Sequence, residues 1–261
     1  MTPGRSLTTI LLGFVASVPA QSQDKPARLT FEVASIRPGE VGQGGGIKAL
    51  PGGQEYSARN VSVKLIISLM YKVPMRQITG GPAWMETEAW NIEAKADKSY
   101  SLDDLHAMFQ NLLVDEFKLK LHKESKEGPI YALTVDKSGS KMKVNDAPQD
   151  FKIPIGFGRD GVVNGTRVPM EYFAWWLGQT ILQREERPVI DRTGLTGHYD
   201  FTLAFAPDLP PDFPKDRLPP GLLDRPNIFD ALKQQLGLKL EPQKGPVEYY
   251  VIDHLEHPAG N

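Results

Sequence analysis

Val63, Ile66, Ile67, Met70 and Tyr71 fall at the i, i+3, i+4, i+7, i+8 spacing of one helix face, which Leu65 and Leu69 widen. So broad an apolar stripe predicts a helix covered on most sides. Ahead of it, "FEVASI" (31–36) alternates as a strand, and "GIKALPGGQEYSA" (46–58) reads as a hairpin turning at Pro51-Gly52-Gly53. A short strand around Arg76 to Ile78 and another at Trp90 to Lys95 follow. Ser101, three residues before Asp104, marks a second helix start, with Leu102, Leu105, Phe109 and Leu112 on one face. Two strands close the stretch, Lys118 to His122 and Ile130 to Val135, joined by a charged turn through Gly128-Pro129.

The same order of patterns recurs downstream. "IPIGFGRDGVVNG" (153–165) is a hairpin with Arg159-Asp160-Gly161 at its tip, and Pro169 opens a helix whose face is Met170, Phe173, Ala174 and Leu177. Asn227 and Asp230 give the next helix start, Ile228, Ala231, Leu232 and Leu236 its face, and Val247 to Asp253 the last strand. Val61 then aligns with Val168, Trp90 with Tyr199, and Leu119-Lys120-Leu121 with Leu238-Lys239-Leu240. The expected fold class is α+β: two tandem similar modules of strand-helix-strand-strand-helix-strand-strand type, with small mixed or antiparallel sheets packed against helices. The first module spans 30–143 and the second 153–258, with linkers at 21–29 and 144–152.

One segment breaks the correspondence. Where the first module has "DKSYS" (97–101), the second carries a proline-rich insertion, 206–227, with seven prolines. Stiff, extended segments of this kind are recognition elements or surface spacers, and Phe213, Leu218, Leu222 and Leu223 either pin it or meet a partner.

Arg5, the apolar run from Leu7 to Val18 and the small residues Val18-Pro19-Ala20 predict a signal peptide over 1–20, cleaved before Gln21. No later stretch reaches the roughly 20 apolar residues of a membrane span, so the mature chain is expected to be secreted or periplasmic, with no transmembrane segment. The 261 residues contain no cysteine, which excludes disulfides, thiolate zinc sites and a lipid-anchored cysteine. A formal charge of −2 with interspersed signs carries no nucleic-acid or membrane footprint.

Over most of the mature length, "FEVASIRP", "ITGGPAW", "LLVDEFKLKLHKESKEGPIYAL", "RPVIDRTGLTGHYDF", "LGLKLE" and "PVEYYVIDHLEHP" resemble an uncharacterised soil-associated family of secreted proteins abundant in Acidobacteria. The resemblance implies export and assigns no activity. More locally, "LHAMFQNLLVDEFKLKLHKESKEGPIYALTV" is similar to the short N-terminal domain of secretins and TonB-dependent receptors, which implies a module that contacts partner proteins in the periplasm.

Catalytic signatures are sparse. Ser138-Gly139-Ser140-Lys141 spells S-x-x-K, but the overlapping Lys137-Ser138-Gly139 cannot also serve as a separate K-T-G element, which leaves a turn. His254 and His257 point to opposite faces if the last strand continues through them, which separates them as metal ligands. His122 and His106 are expected on polar surfaces, while His198 with Asp191 and Asp200 nearby has residue types suited to acid/base work. Of the adjacent Trp175 and Trp176, one is expected in the core and the other between the modules or toward a partner; Trp84 and Trp90 are expected to pack internally. Asn60-Val61-Ser62 and Asn164-Gly165-Thr166 read as turn and cap residues.

No catalytic, cofactor or metal residue is assigned. The expected function is that of an exported, non-catalytic binding protein with a protein partner in the cell envelope, in signalling or assembly. The alternative is an envelope hydrolase with His198 and Asp200 between the modules. Polar groups converging in a pocket would favour the enzyme; an exposed apolar surface or free sheet edge would favour binding.

Overall fold

Ser62 and Ser101 accept hydrogen bonds from the amides of Leu65 and Asp104, at 3.3 and 3.1 Å, and these caps start the helices the apolar periodicity predicts. They are α1 (Val63–Met70), with Val63, Ile66 and Ile67 fully buried, and α3 (Leu102–Glu116), with Asp103 and Asp104 at its positive end. Between them lies the short α2 (Trp84–Thr87). The structure is a computed structural model that describes residues 28–40, 42–148, 151, 153–185, 187–210, 213–214 and 218–259. The predicted signal segment, 1–20, lies outside the described residues, as do 21–27 of the predicted linker.

The fold is α+β and mostly strand. Among the described residues the strands form three four-stranded sheets. In the first, β1 (Val33–Pro38) pairs with β5 (Trp90–Lys95), β5 with β3 (Glu55–Val61), and β3 with β2 (Gly46–Ala49), all antiparallel. The third is built alike from β7 (Lys143–Val144), β11 (His198–Leu203), β9 (Val163–Pro169) and β8 (Ile155–Phe157). Against it pack α4 (Met170–Trp176), continued as a π-helical turn to Ile181, and α5 (Ile228–Ala231), continued likewise to Leu236 and capped by Asn227.

The middle sheet joins the halves. Its centre is β6 (Lys120–Val135) antiparallel to β12 (Leu238–His254), in register from Val135 opposite Leu238 to Leu121 opposite Ile252. Each long strand carries a short parallel neighbour from the other half of the chain. Strand β4 (Ile78–Gly80) lies on β12 with Ile78 opposite Tyr250, and β10 (Val189–Asp191) lies on β6 with Val189 opposite Tyr131. The cores are exchanged as well. Tyr250, Ile252 and Leu255 complete the core under the first sheet, and Tyr131 and Leu133 that under the third.

This ladder corrects the expected turn at Gly128-Pro129, which is strand. The amide of Tyr131 donates outward to the Pro188 carbonyl at 2.8 Å, so alternate residues of β6 turn their N–H away from β12. Pro129 is one of those positions, ahead of the point where β10 begins, and its missing N–H breaks no rung. Pro242 and Pro246, opposite Tyr131 and Glu127, stand on the other outer edge for the same reason. Gly128 faces Gly245, and the slot that the pair leaves is filled by buried Ile130 over Gly245 and Val247 over Gly128. The last strand likewise begins at Leu238, well before the expected Val247, because β6 continues as its partner. The first strand, β1, finds its partner β5 within its own half.

Gly237 sets where β12 starts. It ends the preceding helix in the left-handed region (φ 67°), and a Cβ there would run into the carbonyl of Gly139. Gly237→Ala is therefore expected to cost about 1–3 kcal/mol, read as a lower urea midpoint with an unchanged slope.

Candidate functional site

Both halves contribute to one polar cleft. The first turns of α3 supply Asp103 and His106, and the residue that follows the end of α1 and its cap supplies Lys72. Opposite them stand Arg167 from β9, Tyr172 from α4 and His198 from the start of β11.

His106 departs from the expected polar surface: only 6% of it is exposed. Tyr56 from β3 packs beside its ring, with the phenol oxygen 2.9 Å from Nε2. Burial holds the imidazole neutral, with its pKa pushed down to about 4; Lys72 adds to the shift and Asp103 opposes it. Burial also pushes the Tyr56 phenol far up, so it keeps its proton. That O–H has no other acceptor among the described residues, and donation to Nε2 satisfies it. The remaining imidazole hydrogen then sits on Nδ1, which has no partner.

Arg167 is held by its backbone and left open at its tip. Its amide donates to Asp200 Oδ1 at 2.9 Å, and its φ of 51° belongs to the left-handed region. The guanidinium makes no ion pair among the described residues, and its buried Nε has no partner. Lys72, by contrast, lies 3.1 Å from Glu171 and 3.6 Å from Asp103. The cleft therefore offers an unpaired guanidinium, a group that suits an anion, while the unmet Nδ1–H of His106 is sealed from solvent.

His198 lines this cleft, but Asp200 does not join it. Asn145 Nδ2 contacts both Asp200 oxygens, at 2.8 and 2.9 Å, and the Arg167 amide takes a third bond. No hydrogen bond links His198 to Asp200 or to Asp191 among the described residues. Asp191 caps its own turn through Thr193.

Residues 64–255, a span that includes every cleft residue named above, match the model of the family described as Protein of unknown function (DUF3738). The chain belongs to this family. No curated protein and no solved structure matches it.

Elsewhere in this DUF3738 protein, the remaining histidines are paired. His122 lies 2.9 Å from Asp253, which raises its pKa, and His254 lies 2.7 Å from Glu256. His257 contacts Glu88 at 2.9 Å and stacks on Trp84 at 4.1 Å, so the segment after β12 is docked, with Leu255 buried. Among the described residues no cluster of His, Asp and Glu could hold a metal ion. Ser138 bonds Asp136 in a turn. Asn60 accepts from the Glu40 amide at a left-handed position, and Ser62 caps α1.

Trp176 and Trp90 are buried, as expected of packing residues. Trp175 instead borders a second cleft over the centre of the middle sheet, with Tyr71, Tyr250 and Gln77. There Lys123 sits 4.9 Å above the Tyr250 ring and 3.3 Å from Glu248, so its charge is already balanced. In the proline-rich insertion Leu222 is buried and Arg225 donates to the Asp160 carbonyl at 2.9 Å, which ties the segment to the hairpin tip; Phe213 and Leu223 remain exposed. Among the described residues no helix is long and apolar enough to cross a membrane.

The neutral His106 imposes a pH dependence. Its folded pKa lies below the unfolded 6.5, so the associated stability is complete above that pH and is lost as pH falls toward about 4. Within that window unfolding free energy should drop by about 1.4 kcal/mol per pH unit. His106→Asn should remove this component, as measured by urea denaturation at about pH 7 and about pH 5.

Proposed function

We propose that this protein is an exported, non-catalytic binding protein made of two similar modules, which seats an anionic group of an envelope partner in the cleft between them. The observation that carries the reading is the Arg167 guanidinium, which lines the cleft with no ion pair among the described residues. The guanidinium is half-buried, with Nε sealed from water, and an anionic ligand would satisfy its open end. The hydrolase alternative is less favoured because Asp200, its acid/base partner for His198, is occupied by Asn145 and the Arg167 amide.

Two further supports concern architecture and compartment. The module reading, with 30–143 and 153–258 as units, rests on the repeated order of hairpin, helix, short strand, strand, helix and long strand. Asn60 and Arg167 are left-handed at corresponding places, and Ile78 and Val189 meet Tyr250 and Tyr131 in the same way. Export rests on the signal-like N-terminus and on the resemblance to secreted acidobacterial proteins. The likeness to the N-terminal domains of secretins and TonB-dependent receptors favours a protein partner.

Crosslinking in the native cell envelope should recover a partner with the wild-type chain and lose it with Arg167→Gln, whose folding is checked by its melting transition. Turnover of ester, amide or glycoside reporters that disappears in His198→Ala would instead establish the hydrolase.

A further inference from the structure

The polar cleft does not end at His106. A groove lined by Ile47 and Ala49 of β2, with Leu69 and Ile153, shares Leu102, His106, Pro154 and Tyr172 with it. The wall on the first-sheet side is a strand edge. Among the described residues β2 is the terminal strand of its sheet, with β3 as its one neighbour. The amide of Leu50 donates to the Glu55 carbonyl at 2.8 Å, so Leu50 and Glu55 form a bonded pair. By the alternation of an antiparallel ladder, Ile47 and Ala49 then turn their N–H and C=O groups outward, toward the groove.

This edge differs from those of the middle sheet. There Pro129, Pro242 and Pro246 occupy outward-facing positions and deny hydrogen bonds to an added strand. Strand β2 contains no proline and starts at a glycine. Beside it Ile153 exposes 61% of its surface, an uncovered apolar side chain on the rim of the groove.

Resting on the binding reading above, we propose that the occupant is the C-terminus of an extended protein chain. Its last residues add a strand to β2, an apolar side chain covers Ile153 and Leu102, and the terminal carboxylate reaches Arg167. Three independent features agree on this occupant: outward peptide groups at Ile47 and Ala49, an apolar groove, and an unpaired guanidinium at its polar end. Strand addition supplies main-chain affinity, and the carboxylate fixes where the peptide stops. Lys72, balanced by Glu171 and Asp103, contributes field rather than a free contact.

The test uses the full exported chain and a pool of fluorescent hexapeptides, each ending in an apolar residue with a free carboxylate. The same pool is prepared with C-terminal amides, and again with alternate amides N-methylated. Free-acid peptides should bind, and both amidation and N-methylation should weaken binding at least about tenfold, as should Arg167→Gln. N-methylation perturbs only the ligand, so it tests strand addition even if the Arg167 variant folds poorly. Equal binding of acids and amides, or indifference to N-methylation, would overturn the proposal. Decanoate and inorganic phosphate separate it from the reading beneath it. If either binds in an Arg167-dependent way while no peptide does, the peptide proposal falls and the anion-binding cleft stands; if nothing binds, both fall.

Discussion

Everything in this molecule hangs on the pairing of β6 with β12. The two strands are far apart in sequence and lie in continuous antiparallel register, and each accepts a short parallel strand from the opposite half. That exchange fixes the two outer sheets relative to one another. Polar contacts tie the same junction: Arg76 donates to the carbonyls of Gly178 and Arg187, both at 3.0 Å, and the Met75 amide donates to Gln179 at 3.0 Å. With no cysteine in the chain, burial and hydrogen bonding alone hold this arrangement.

The cleft is a product of that junction. Lys72, Asp103 and His106 come from one side and Arg167, Tyr172 and His198 from the other, so the polar cluster exists only when the halves are docked. Tyr56 and His106 make the site expensive in stability, since a phenol and an imidazole are both dry and one imidazole nitrogen goes unmet. Groups that satisfied packing alone would be apolar here. The open guanidinium belongs to the residue whose own amide the fully committed Asp200 accepts, so the chain separates two tasks, with the carboxylate positioning the backbone and the cation left available.

How much of this is legible in the sequence depends on distance along the chain. The caps at Ser62, Ser101 and Asn227, both hairpins and strand β5 follow from neighbours within a few residues, and the structure has them where the pattern predicts. Gly128-Pro129 misleads because its meaning depends on which way an N–H points relative to a strand more than a hundred residues later. His106 sits four residues after Leu102 and three before Phe109, a hint of burial, but its cover comes from Tyr56 and Tyr172 on separate elements. Sequence spacing finds His198 in the cleft and misses Arg167, whose role follows from the absence of a counterion rather than from any motif.

The exchanged cores also govern the order in which the chain can fold. When residues 28–135 have left the ribosome, the core under the first sheet still lacks Tyr250, Ile252 and Leu255, and β6 has no partner along its length. Nothing short of the last strand supplies them. The first core and the long strand β6 therefore stay incomplete until β12 is available, so the two halves are completed in the same step.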